Sequence, residues 1–152
     1  MKTGNSIFRF IICIILCAGF TKCLPGNDRQ ASEENRNLVF DYSDLKIIQK
    51  ADSILSDSTK WNKQDDRQCT DDIATGKYSL FCALYKASID VTGKYIHRRA
   101  AMQAVRFAVE RHDNKRISEH RLMDWNNSPE TTFAELKKVL QESIDTVKRQ
   151  LK

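Results

Sequence analysis

Apolar residues recur at helical spacing along the carboxyl end of the chain, in steps of three or four. They are Phe133, Leu136, Leu140, Ile144, Val147 and Leu151. Thr132 and Glu135 stand at the start of this series with the spacing of a capping box, in which each side chain satisfies a free backbone N–H of the first helical turn. The pattern predicts a long amphipathic helix that buries one face against the rest of the fold.

Three earlier segments show the same period and predict three more helices. Their apolar positions are Leu45, Ile47, Ile48, Ala51, Ile54 and Leu55 in the first, Leu80, Leu84, Ala87 and Val91 in the second, and Ile96, Ala100, Ala104 and Ala108 in the third. Ser43 is the predicted N-cap of the first helix and Ser79 that of the second. Gly93 fits the left-handed position that ends many helices.

Two connections carry the tryptophans of the chain. The polar residues 57–70 are predicted to form a loop whose Trp61 folds back on the core, and residues 118–124 to form a short turn or helix. Residues 125–129, which begin with Trp125, are predicted to form a turn because Asn, Ser and Pro favour turns. No segment alternates with a period of two. The predicted fold class is therefore all-α, a single-domain bundle of about four main helices packed antiparallel, plus a short extra helix.

The first 23 residues have the layout of a secretory signal peptide. Lys2 and Arg9 make a basic start, and residues 10–20 are an unbroken run of eleven apolar or small residues. This run is too short to cross a hydrocarbon layer of about 30 Å, which needs roughly 20 helical residues. We therefore predict a cleaved signal peptide over residues 1–23, a polar tether over 24–42 and the helical domain over 43–152. The predicted location is secreted or periplasmic, with no transmembrane helix after cleavage.

Two alternatives for the amino-terminal segment stay open. Cys23 could be an acylated first residue, although the charged Lys22 stands directly before it, where acylation signals want a small residue. The segment could also remain uncleaved and anchor the domain at a membrane surface. Mass spectrometry of the mature amino terminus separates the three outcomes.

Two of the five cysteines, Cys69 and Cys82, lie within the predicted domain. An oxidising compartment makes a bridge between them plausible, and closing a loop of that length stabilises by about 3 kcal/mol in the chain-entropy model. The alternative is that Cys82, in an apolar sequence, is simply a small buried hydrophobic residue.

Basic charge is concentrated in one part of the chain. The formal charge of +5 falls to +2 without the predicted signal, because 22 basic and 20 acidic residues remain, and this modest charge with export disfavours nucleic acid as the partner. Residues 94–121 nevertheless hold eight basic and three acidic residues. Arg98, Arg99 and Arg106 in this segment are candidate binding residues for an acidic protein or an anionic envelope surface. The other interpretation of Arg99, Gln103, Arg106 and Glu110 is a solvated helix face, which we favour.

The sequence contains no recognisable catalytic or metal-binding motif. The spacings of His97, His112 and His120 match no ligand pattern, so no catalytic residue, metal or cofactor is predicted. Trp125, Asn126 and Asn127 are candidate binding residues, since an indole supplies area and amides supply donors and acceptors. Their structural alternative, which the adjoining capping box favours, is that Trp125 fills the core and the amides hold the turn.

Together these residues resemble a family of domains of unknown function, family 6197, found in small bacterial and phage proteins. The matching elements are Trp61, the run from Phe81 to Leu84 with Ala87, the Ala-rich third helix, Trp125-Asn126-Asn127, and Thr132-x-x-Glu135. The resemblance covers about residues 44–147, and it implies a helical fold and no particular activity. This chain lacks a glycine that the family places between Ala83 and Leu84, and it has Asn127 where the family has Asp.

Two functions of different classes follow. The first is a small exported interaction module without catalytic activity, which binds another protein or an anionic envelope surface. The second is a ligand-binding protein or an enzyme with a pocket near Trp125, Asn126 and Cys82.

Overall fold

The computed structural model describes residues 38–152. Six α-helices form this part of the chain: α1, Tyr42–Ile54; α2, Cys69–Thr75; α3, Leu80–Thr92; α4, Ala100–Asp113; α5, Arg121–Asn127; and α6, Phe133–Gln150. Within residues 38–152 there is no strand, and the sole β-type pairing is an isolated bridge between Trp61 and Tyr78. The predicted all-α single-domain fold is confirmed, with four longer helices as predicted and with two short helices, α2 and α5, where one was predicted.

Local signals set the ends of α3 and α6 as the sequence predicts. The Ser79 hydroxyl accepts a hydrogen bond from the backbone N–H of Cys82 at the start of α3, and Gly93 ends that helix at φ 75°. Thr132 and Glu135 form a complete capping box at the start of α6, with both side-chain-to-backbone bonds present. These caps satisfy backbone donors that the first turn of a helix leaves without intrahelical partners.

The start of α1 differs from the prediction. Asp41, rather than Ser43, is its N-cap, and Asp41 and Asp44 form a second capping box. Asp44 also accepts a bond from the backbone N–H of Ala101 at 3.1 Å, and its oxygen lies 2.8 Å from Nε of Arg99. Asp41 and Asp44 therefore cap α1 and at the same time tie it to the start of α4 through Arg99 and Ala101. A serine hydroxyl carries no charge and could not form these ion pairs.

Helix α4 lies at the centre of the fold, because all of residues 101–109 are buried. It packs mainly on α6 and α5, while α1 packs on α3 and α6. The core side chains that are fully buried and largest are Trp125, Ile47, Ile48, Leu55, Leu80, Leu84, Met102, Leu136 and Leu140. Burying such apolar area is the main stabilising term of the domain.

Two short helices depart from the predicted connections. Trp125, Asn126 and Asn127 are the last residues of α5, so the prediction that they form a turn is wrong. The turn begins only at Ser128, whose N–H closes the helix on the carbonyl of Asp124. Helix α2 was not predicted, since Ile73 and Ala74 are too few apolar residues to mark a helical period.

The predicted signal peptide over residues 1–23 and residues 24–37 of the predicted tether lie outside the described residues. Within the described part, Phe40 packs against the core and Asp41 caps α1. No helix in residues 38–152 is long and apolar enough to cross a membrane.

Because of the capping box of α6, the domain should lose stability at acid pH. Burial alone would raise the pKa of Glu135, but bonds from Thr132 and His112 and the charge of Arg116 lower it from 4.5 to about 2. A lowered native pKa means that stability is fully present above pH 4.5 and is lost as the pH falls through 2. In this window the slope of the unfolding free energy against pH reports how many more protons the unfolded state binds than the native state. We expect this number to be smaller by about one in Glu135→Gln than in the wild type. Urea titrations between pH 2 and 5 measure this slope, and an unchanged slope would contradict the assignment.

Candidate functional site

The side chain of Asn126 is the centre of a buried hydrogen-bond network. Its Oδ1 accepts bonds from Nε1 of Trp61 at 2.8 Å and from the backbone N–H of Leu80 at 3.1 Å. Its Nδ2 donates to the carbonyl of Asn62 at 3.0 Å and to Oδ1 of Asn127 at 3.1 Å. Asn126 is completely buried, and both of its donors and both acceptor sites are used. The amide therefore joins α5 to the start of α3 and to the loop that follows α1.

Asn127 extends this network to the next part of the same loop. Its Oδ1 accepts from the backbone N–H of Asp65 at 2.7 Å, and its Nδ2 donates to the carbonyl of Asp65 at 2.8 Å. The side-chain amide of Asn127 thus pairs with the backbone N–H and the backbone carbonyl of Asp65, as the backbone of a neighbouring β-strand would. An Asp at position 127 could accept the first bond but could not donate the second. Asparagine is thus the residue type that these two bonds require.

Trp125 fills the core beside this network. Its side chain is fully buried, and its ring meets that of His112 edge to face, with centroids 6.0 Å apart. Its backbone carbonyl accepts a bond from the Thr131 hydroxyl at 2.6 Å. Among residues 38–152 the indole N–H has no hydrogen-bond partner. These contacts favour the structural alternative for Trp125, Asn126 and Asn127.

Two buried carboxylates, those of Asp65 and Asp72, also hold the loop that follows α1. Asp72 accepts bonds from Nδ2 of Asn62 at 2.5 Å and from the backbone N–H of Ser79 at 2.7 Å. Asp65 accepts a bond from the backbone N–H of Arg67 at 2.7 Å. Burial raises the pKa of Asp65, with repulsion from Asp72 and Asp66 acting in the same direction. Sequence reasoning missed both residues, because nothing in a polar stretch of sequence distinguishes a buried carboxylate from an exposed one.

Cys69 and Cys82 are brought together at the start of α2 and the start of α3. Their Cα atoms are 5.1 Å apart and their sulfurs are in bonding contact, which is the separation that a disulfide requires. Cys82 is also buried, as the alternative interpretation proposed. The two interpretations are compatible, because the cysteine pair lies at the edge of the core.

The candidate basic residues occupy three different environments. Arg98 is exposed. Arg99 is held by Asp44 and by both carboxylate oxygens of Asp41, each 3.0 Å from Nη2. Arg106 is only 8% exposed and donates from Nη1 to the carbonyl of His97 at 2.7 Å. The solvated face predicted for this stripe is wrong, because Gln103 is also 4% exposed and α4 is enclosed on nearly all sides.

Arg106 reaches a small concave site at the surface, which we call the cationic cleft. Its charged and polar wall consists of Arg67, Arg106, Arg121, His97 and His120, and its apolar wall of Phe81, Leu122 and Met123. The cleft has a volume of about 60 Å³. It lies where the loop before α2, the connection between α3 and α4 and the start of α5 meet. Sequence reasoning found Arg106 but missed Arg67 and Arg121, which come from separate segments.

The basic side chains of the cationic cleft contact its two histidines and an acid beside it. Nη1 of Arg67 lies 3.0 Å from Nε2 of His120, and Nη2 of Arg106 lies 3.2 Å from Nδ1 of His97. Burial lowers the pKa of His97, and the charges of Arg106, Arg67 and Arg98 lower it further. Glu110 compensates part of the charge through an ion pair with Arg121, in which Nε and Oε1 are 2.6 Å apart.

Arg67 has a left-handed backbone conformation, with φ 65°, and is the one non-glycine residue of the described chain with a positive φ. This conformation is uncommon for a long side chain, and such strain is found disproportionately at functional sites. The bond from its N–H to Asp65 holds the conformation in place. The loop therefore directs a strained cationic residue to the rim of the cleft.

A family model described as "Family of unknown function (DUF6197)" matches residues 40–146. The chain belongs to DUF6197. The matched range of this DUF6197 member begins at Phe40, next to the cap of α1, and ends within α6, so it contains both the Asn126 network and the cationic cleft. Comparisons with curated proteins and with solved structures give no significant match.

The three histidines of this DUF6197 member do not converge. His97 and His120 lie on the cationic cleft, while Nε2 of His112 lies 3.3 Å from Oε1 of Glu135. Within residues 38–152 no group of three or more His, Cys, Asp or Glu side chains is arranged to hold a metal ion. Trp125, Asn126 and Cys82 do not line the cleft.

Proposed function

We propose that this chain is an exported, non-catalytic interaction module that binds an anionic partner through the cationic cleft. One observation carries the proposal: three arginines from separate segments meet in one concave site, although the mature chain has a net charge of only about +2. Positive charge gathered in a cleft attracts and orients an anionic group more strongly than the same charges spread over a surface.

The residues that line the cleft suit binding better than chemistry. Arginine keeps its proton at any physiological pH and therefore cannot act as a base, and its planar fork of donors matches carboxylate and phosphate oxygens. Burial and the charges of neighbouring guanidinium groups lower the pKa of His97, one of the two lining histidines. The second candidate function, a pocket near Trp125, Asn126 and Cys82, would require fully buried side chains to open to solvent.

Export is the second part of the proposal, and it rests on the signal-like residues 1–23. In an oxidising compartment the paired Cys69 and Cys82 would form a disulfide that braces the loop carrying Arg67. We expect mass spectrometry of the protein from its native host to show a mature chain that has lost about the first 23 residues. A full-length chain in the cell interior would contradict export and the oxidised bridge together.

Co-purification with charge variants tests the binding function. We expect Arg67→Gly to abolish capture of the partner, because it removes a cleft charge and places glycine at a position with φ 65°, which suits glycine. Lys148→Gln is the matched control, since it removes the same charge from an exposed site on α6. Equal capture by wild type and both variants would contradict the role of the cleft. Equal loss of capture with both variants would show that the partner responds only to the net charge of the protein, an attraction that salt screens.

A further inference from the structure

Helix α3 and the connection that follows it expose a cluster of aromatic and aliphatic side chains. Phe81, Tyr85 and Ile89 stand four positions apart and therefore lie on one face of α3. The ring of Tyr95 packs on this face, with its centroid 6.0 Å from that of Phe81 and 5.0 Å from that of Tyr85. Ile96 follows directly, and we call these five residues the aromatic patch. Ile89 is 38% exposed and Ile96 is 40% exposed, so solvent reaches the aliphatic part of the patch.

The connection between α3 and α4 is held in place on both sides of Ile96. The carbonyl of Lys94 accepts a hydrogen bond from the Thr92 hydroxyl at 2.8 Å. The carbonyl of His97 accepts one from Nη1 of Arg106 at 2.7 Å. An exposed isoleucine between two fixed backbone positions is pre-organised for contact with a partner, because little conformational entropy remains to be lost on binding.

Cations stand next to the apolar residues of this connection. Lys94 and Arg98 lie on either side of its tyrosine and isoleucine, and both side chains are exposed. In the part of the chain that the structure describes, neither of them forms an ion pair. The one acid in residues 80–99 is Asp90, whose carboxylate is paired with Nζ of Lys86 at 2.9 Å. The edge of the aromatic patch is therefore complementary to an anionic surface.

This combination of side chains suits a lipid surface better than a peptide. Tyrosine rings are favourable at the boundary between headgroups and acyl chains, and neighbouring Lys or Arg residues attract anionic headgroups. A peptide instead places anchoring side chains in pockets. The cationic cleft, which adjoins the patch at Phe81, has a volume of about 60 Å³. It is smaller than the cavity of about 150 Å³ that encloses a benzene ring, so it does not enclose a large anchor.

We propose that the aromatic patch docks on the surface of an anionic phospholipid bilayer, with its two isoleucines in contact with the lipid and with Lys94 and Arg98 beside the headgroups. This inference rests on the proposed function and names its anionic partner as a membrane surface. Phe81 belongs both to the patch and to the cationic cleft. A bilayer on the patch therefore brings headgroup phosphates to Arg67, which is exposed at the rim of the cleft.

Co-sedimentation with vesicles tests the docking. The mature chain, without residues 1–23, is mixed with phosphatidylcholine vesicles that contain or lack phosphatidylglycerol. We expect binding to the anionic vesicles to be at least about tenfold tighter, because each basic residue near an anionic surface strengthens the attraction. Equal binding to both kinds of vesicle would overturn the role of the cations. No binding to the anionic vesicles would overturn the inference, and an acidic protein or peptide would then be the partner to seek.

Ile96→Ser tests the apolar contact with the lipid. It should weaken binding to the anionic vesicles about tenfold, because an aliphatic side chain no longer leaves water. Ile73→Ser is the matched control, since Ile73 is 48% exposed on α2 and lies outside the patch, and it should leave binding nearly unchanged. Both side chains are exposed, so both variants should fold, which circular dichroism checks. Equal weakening by the two variants would overturn the assignment to the patch.

Arg98→Gln is a second variant, and it tests the charged edge of the patch. It should weaken binding to the anionic vesicles about fivefold, the contribution of one basic residue. Lys148→Gln removes the same charge from an exposed site on α6 and should leave binding nearly unchanged. An equal effect of these two variants would show that the vesicles respond only to net charge, and would overturn the orientation of the patch toward the lipid.

Capture of the partner from the native host separates this inference from the proposed function. If the anionic vesicles do not bind while capture still depends on Arg67, only the inference fails. If capture is indifferent to Arg67, the proposed role of the cationic cleft fails, whatever the vesicles show.

Discussion

Asn126→Leu should lower the free energy of unfolding by about 4 kcal/mol. Leucine has the same branching of heavy atoms but no polar atoms, so the substitution leaves Nε1 of Trp61, the N–H of Leu80 and the carbonyl of Asn62 buried without partners. Each buried group that loses its partner costs about 1 to 3 kcal/mol. The change is therefore large compared with the total stability of about 5 to 15 kcal/mol that domains of this kind have. Urea denaturation followed by circular dichroism measures it.

Trp61→Phe is the matched control for this prediction. It keeps an aromatic ring, although a smaller one, in contact with the core and removes the bond from Nε1 to Asn126. We expect it to cost about 1 kcal/mol, the usual value of one hydrogen bond. A loss below 1 kcal/mol for Asn126→Leu would show that the network is not what holds the loop, and Trp125 to Asn127 would again be candidates for direct binding.

Reduction of the proposed bridge between Cys69 and Cys82 should have the second largest effect. The cysteines are 13 positions apart, and a loop of this size is worth about 3 kcal/mol in the chain-entropy model. For a domain of this length, that loss lowers the melting temperature by roughly 10 °C. Thermal melts of the mature chain with and without dithiothreitol measure the difference.

Cys69→Ala provides the control for reduction, because it has no bridge to reduce. Its melting temperature should be close to that of the reduced wild type and should not respond to dithiothreitol. Two free domain thiols in unfolded protein taken from its native compartment, with no effect of dithiothreitol on the melt, would contradict the proposed bridge.

The sequence predicts the elements whose signals are local. The capping box of Thr132 and Glu135, the Ser79 cap and the Gly93 terminus are each visible within a few residues, and all three are present. The helical period of the apolar residues likewise predicts the four longer helices, because burial of one face imposes that period. The family resemblance rests on the same elements and is confirmed.

Features that depend on distant partners were not predictable. The capping box of Asp41 and Asp44 is local, but the ion pairs of both carboxylates with Arg99, which stands 58 positions from Asp41, are not visible in the sequence. Arg106 resembles a surface residue in a helical projection, yet α4 is enclosed on nearly all sides and its guanidinium is held by the connection before it. The cationic cleft joins Arg67 and Arg121, which no spacing in the chain relates.

Capture of the partner by the wild-type protein, by Arg67→Gly and by Lys148→Gln at one ionic strength tests the central claim most directly. The account predicts capture by the wild type and by Lys148→Gln, and its loss with Arg67→Gly. Equal capture by all three proteins would contradict it.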